Sequence, residues 1–138
     1  NSGTASSVGI TTDASTKRVA ADENGNVYVD GFNVRRLSPG GVESTPLGTL
    51  TETVLDLSAL DGNVYVMLTP GPLSLAHVTV VTGEGDLVAD VNTDAFFRDE
   101  DTTSRFSIDK VTGDFYLARN FLDIANYQTF QAVTLFAR

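Results

Sequence analysis

The sequence predicts an all-β fold, a β-sandwich with an extended N-terminal arm, and three observations carry that expectation. Glycine-bearing turn signals punctuate the chain from Asn24-Gly25 to Thr112-Gly113. The stretches between them are short, rich in β-branched and aromatic residues, and alternate with period two. The glycine- and proline-free tail ends in residues 129–136, whose β-branched and aromatic content favours strands. Short strands between regular turns indicate a sandwich or barrel.

Residues 1–18 are dominated by Ser, Thr, Gly and Ala, with Val8 and Ile10 the large apolar residues. Such a segment does not bury enough surface to fold alone. It reads as a loose terminus or as an arm that pairs with a sheet edge. In the second case Val8 and Ile10 enter one groove while Gly9 lets two backbones approach. Residues 19–41 read as a hairpin and linker around Val27-Tyr28-Val29. Asn24-Gly25, Asp30-Gly31 and Pro39-Gly40-Gly41 supply its turns, where Asn-Gly and Asp-Gly favour positive φ.

Residues 42–138 are expected to form the sandwich. In residues 64–68, Val64, Val66 and Leu68 share one face while Tyr65 and Met67 take the other. Residues 78–81, 106–108 and 115–117 read as further strands. Residues 86–97 are ambiguous, because Asp86 fits an N-cap with Leu87, Val91 and Ala95 on one helical face. A single helical turn at residues 94–97 is a related expectation.

One echo runs through the chain. Asn24-Gly25-Asn26-Val27-Tyr28-Val29 recurs as Asp61-Gly62-Asn63-Val64-Tyr65-Val66, and more loosely as Thr112-Gly113-Asp114-Phe115-Tyr116-Leu117. Residues 20–37 alone also look like a blade of an NHL-type β-propeller. Three unevenly spaced units are too few to close a propeller, so that fold is the alternative.

A chain of 138 residues is long enough for one domain with a real core, and 41% hydrophobic content is ordinary. The net charge of −9 repels phosphate backbones and anionic lipid, which makes nucleic acid and membrane surfaces poor partners. Without cysteine there are no disulfides, zinc-thiolate sites or thiol nucleophiles. No run reaches the roughly 18 apolar residues of a membrane-spanning helix. The chain starts at Asn1 with neither basic nor apolar leader, as a processed mature chain does.

Nothing reads as an active site. His77 is the one histidine and has no acid at a recognisable triad spacing. Asp99-Glu100-Asp101, between Arg98 and Arg105, reads as a solvated loop with local ion pairs, the alternative being part of a cation site. The glycine clusters lack Gly-Lys-Ser/Thr and are turns, not phosphate loops.

One family pattern is present. Glu43-Ser44-Thr45-Pro46-Leu47-Gly48-Thr49, then Phe106-Ser107-Ile108-Asp109 with Thr112-Gly113, then Leu122-Asp123 and Phe130 follow in order. This resembles a degenerate cadherin repeat over residues 42–138. The resemblance implies a Greek-key sandwich used extracellularly for adhesion or structure. It places Glu43 and Asp123 at calcium-ligand positions, giving a weak Ca²⁺ site, since calcium takes six to eight oxygens. Ala125 stands where a further Glu is expected, and a single Asp56 lies near the expected Asp-x-Asp.

The expectation is therefore a non-enzymatic, extracellular or cell-surface structural subunit. It assembles with copies of itself or with neighbouring β-domains by β-strand addition, possible filament growth included. The alternative is a cadherin-like adhesion or carbohydrate-binding module, for which Tyr28, Tyr65, Tyr116 and Tyr127 are the candidate platform.

Overall fold

The computed structural model describes residues 9–10, 17–71, 74–96, 105–123 and 128–137, with the backbone alone at 94–96, 105, 119–123 and 128–132. The described residues hold no helix and eleven strands in three antiparallel sheets. The first sheet contains β1 (Val19–Ala21), β2 (Val27–Val29), β3 (Val34–Leu37) and β4 (Glu43–Leu47). The second contains β5 (Thr53–Leu60), β6 (Asn63–Thr69), β7 (Leu75–Thr82) and β8 (Leu87–Phe96). The third contains β9 (Arg105–Ile108), β10 (Phe115–Asp123) and β11 (Gln128–Phe136). The all-β fold class read from the sequence is present.

Within each sheet, every hydrogen-bonded neighbour is also a neighbour in sequence. Each sheet is a meander, and the crossover of a Greek key is not among the described pairings. Tight turns are the reason, since Gly25, Gly62 and Gly113 adopt φ of 80, 75 and 78° and return the chain directly onto the preceding strand. Glu43–Leu47 pairs with Val34–Leu37, so the first sheet continues past residue 42.

The sheets stack as three layers. Val64, Val66 and Leu68 join Tyr28 and Val34 in one core between the first and second sheets. Tyr65 and Met67 join Phe106, Ile108, Phe115 and Leu117 in another between the second and third. The alternation read in residues 64–68 is thus observed, with both faces of β6 buried. Burying a side chain such as Met67 contributes about 1.5–3 kcal/mol. β1 lies beside β5 and β5 beside β9, so the first strands of the three sheets line up. The sequence echo marks the turn and second strand of each sheet, the repeat that the propeller alternative expects.

The helix considered for residues 86–97 is a strand. β8 pairs antiparallel with β7, and the buried Thr93 hydroxyl donates to the Ala76 carbonyl at 2.7 Å. Pairing with β7 supplies hydrogen bonds that a short, weakly patterned helix does not. Phe97 lies outside the described residues.

Polar contacts join the layers. The Tyr28 hydroxyl donates to the Gly62 carbonyl at 3.1 Å. Arg36 pairs with Glu84 and donates to the Gly83 carbonyl at 3.3 Å, and the Ser44 hydroxyl reaches the same carbonyl at 2.9 Å. On the other side, the Phe106 amide donates to Asp56 Oδ2 at 3.0 Å and Lys110 Nζ to the Ala59 carbonyl at 2.6 Å. Asp56 stands at a bulge in β5, which turns its carboxylate toward the edge of β9.

Candidate assembly surface

Among the described residues the third sheet is one strand shorter than the other two, with order β11-β10-β9. β11 pairs with β10 along its whole length, from Asp123↔Gln128 to Phe115↔Phe136. Among the described residues no strand pairs its other side. Nine residues at about 3.4 Å each make an edge of about 30 Å, along which alternate residues present N–H and C=O outward.

An apolar groove of ≈ 360 Å³ lies between the second and third sheets, lined by Tyr65, Val80, Ala89, Val91, Phe115 and Ala137 among others. Its origin is the unequal strand count. β8 is the fourth strand of its sheet, and Ala89 and Val91 pack only partly against the core shared with the third sheet. The third sheet has no described fourth strand to stand opposite. The cross-strand row Ile108, Phe115, Phe136 ends at Phe136, whose ring stacks on Phe115 at 4.8 Å between centroids. A strand added to β11 would extend this row and set every second side chain into the groove.

The arm expected to supply such a strand falls mostly outside the described residues, Val8 included. Gly9 is exposed with open space where a Cβ would stand, and Ile10 is half-buried. The arm's root is well defined. The backbone amides of Lys17 and Arg18 both donate to Asp30 Oδ1 at 2.7 Å, and Arg18 Nη1 reaches Asp30 Oδ2 at 3.2 Å. Asp30 is buried, so this clasp ties the chain to the first sheet before β1 begins. The root of the arm is therefore held by the first sheet, whereas the β11 edge belongs to the third.

The two residues suggested for calcium lie in different sheets. Glu43 opens β4 in the first sheet and Asp123 closes β10 in the third, with the second sheet between them. Among the described residues there is no group of three or more His, Asp or Glu placed to hold a metal ion. Asp99-Glu100-Asp101 lies outside the described residues. His77 sits in β7 and its Nε2 is 3.3 Å from Glu52 Oε2.

A cleft of ≈ 400 Å³ runs across the first-hairpin turns of the three sheets, lined by Asp22, Glu23, Asp61 and Lys110 among others. Its polar groups are engaged with each other and with backbone. The Asp22 carboxylate accepts from the amides of Asn24 and Asn26 at 3.0 and 2.8 Å and from Asn26 Nδ2 at 2.7 Å. Glu23's own amide and the Asp61 amide hold its carboxyl below the usual carboxylate range. This arrangement pins the turns.

Among the described residues the tyrosines considered for carbohydrate do not lie on one exposed surface. Tyr28 and Tyr65 are buried between sheets, Tyr127 lies outside the described residues, and Tyr116 alone of the other three is exposed. The sequence reading also missed the edge and its groove.

Compared with known proteins, the chain matches no family model and none of the curated proteins searched. The resemblance to a cadherin repeat therefore rests on the quoted residues alone.

Proposed function

We propose that this chain is a non-enzymatic structural subunit, extracellular or at a cell surface, that assembles with copies of itself by β-strand addition at β11. The observation that carries the reading is the coincidence of an apolar groove with a strand edge that no strand pairs among the described residues. Main-chain hydrogen bonds along the edge supply affinity, and alternate side chains in the groove set register. The donor is the N-terminal arm of another copy, with Val8 and Ile10 in the groove and Gly9 at the close approach. The arm's root is tied to the first sheet and the edge belongs to the third, so the contact is head-to-tail and grows into a ring or filament.

Deleting residues 1–12 tests this directly. Light scattering on the whole chain should report concentration-dependent association, the deletion should abolish it, and a free peptide of residues 1–16 should bind the shortened chain. Association that persists unchanged after the deletion sinks the arm as donor.

A further inference from the structure

The internal echo gives a rule for how the sheets stack. In each sheet a positive-φ glycine opens the second strand, and the residue three positions on is Tyr28, Tyr65 or Tyr116. Tyr28 packs toward the second sheet, and Tyr65 packs toward the third. Their strand neighbours point the other way, Val64 and Val66 toward the first sheet, Phe115 and Leu117 toward the second. Both internal interfaces therefore set the tyrosine face of one sheet against the opposite-parity face of the next.

Tyr116 is the third member of this series and is 40% exposed. Its cross-strand partner Leu135 is 52% exposed, and Val133, opposite Ala118 on the same face, is 70% exposed. At the other end of the stack, Val27 holds the place of Val64 and Phe115. Ala21 and Val19 share its face, Val19 is 68% exposed, and Val29 beside them is buried.

We infer that the outer face of the third sheet docks onto the outer face of the first sheet of a second copy of this chain. The occupant follows from continuity with the two interfaces already inside the molecule. Among the described residues the third sheet ends the stack with an exposed tyrosine face, and the first sheet begins it with the face that each later sheet turns to its predecessor. The contact is between sheet faces, is heterologous, and stands independently of any strand added to the β11 edge.

Two single substitutions of exposed side chains, Tyr116→Lys and Val19→Lys, test it in the full chain, with circular dichroism to verify folding. Sedimentation velocity should show the wild-type chain associating, and each variant alone should weaken association about tenfold or more. An equimolar mixture of the two should form a heterodimer, because each variant keeps the one face that the other has lost. A wild-type chain that stays monomeric overturns the second copy as occupant. So does association that neither variant weakens. If removing residues 1–12 abolishes association while Tyr116→Lys does not, the face contact is overturned and strand addition stands. The reverse pattern removes strand addition and leaves the face contact.

Discussion

Tyr28→Phe should remove a single hydroxyl from the middle of the first interlayer core and change the pH dependence of stability. Tyr28 is fully buried, and its hydroxyl donates to the Gly62 carbonyl at 3.1 Å with Asp22 Oδ2 at 3.4 Å. Neither acceptor is orphaned by the substitution, since Gly62 also accepts from the Gly83 amide at 2.9 Å and Asp22 Oδ2 from Asn26 Nδ2 at 2.7 Å. The loss at neutral pH is therefore that of one net hydrogen bond, about 1 kcal/mol. Burial first, and then the negative charge of Asp22, push the phenol up to about 12 from its ordinary 10.0. Below the unfolded value both states keep the proton and the contribution is complete. Between the two values the unfolded chain releases a proton that the folded chain retains, so stability falls as pH rises. Two pH units correspond to a loss on the order of 2–3 kcal/mol in the wild type that the Phe variant escapes. Urea denaturation at neutral pH and at stepped alkaline pH measures both effects, and the other tyrosines cancel in the comparison. A neutral-pH loss above about 3 kcal/mol, or alkaline slopes that match in the two proteins, refutes this account of the interlayer contact.

Gly85→Ala should cost about 1–3 kcal/mol, because Gly85 sits at φ 100° and a Cβ there would stand 3.0 Å from the Pro46 carbonyl oxygen; the urea midpoint checks it. Met67→Ala should cost about 2–5 kcal/mol by opening a cavity between the second and third sheets. Asp30→Ala should free the Lys17 and Arg18 amides and speed proteolysis just before β1, and equal cleavage rates in variant and wild type would contradict the clasp. Raising salt should strengthen self-association by screening the −9 charge of each copy, as sedimentation would register.

The strands were legible where composition and tertiary environment agreed. In residues 64–68 the alternation predicted two faces, and the structure buries both, because β6 is a central strand of the middle layer. Residues 86–97 misled because Leu87, Val91 and Ala95 share a helical spacing, and only the proximity of β7 decides for a strand. The Greek key came with the cadherin resemblance, which concerns short turn-and-strand segments that a meander uses equally well. Glu43 and Asp123 follow that pattern in sequence, yet their separation across layers depends on sheet stacking, which spacing does not encode. The echo of Tyr28, Tyr65 and Tyr116 is visible in the sequence, but its meaning required knowing that Tyr28 and Tyr65 each face the next sheet. The open edge of β11 had no local signal, since it is defined by a strand that is not there among the described residues.

Hydrogen exchange along Gln128–Phe136 tests strand addition most directly. At low concentration the outward amides of β11 should exchange readily, and on association, or on binding a peptide of residues 1–16, they should become protected while the already paired β6 changes little. Exchange in β11 that is indifferent to concentration and to the peptide, with association still occurring, would contradict strand addition at this edge.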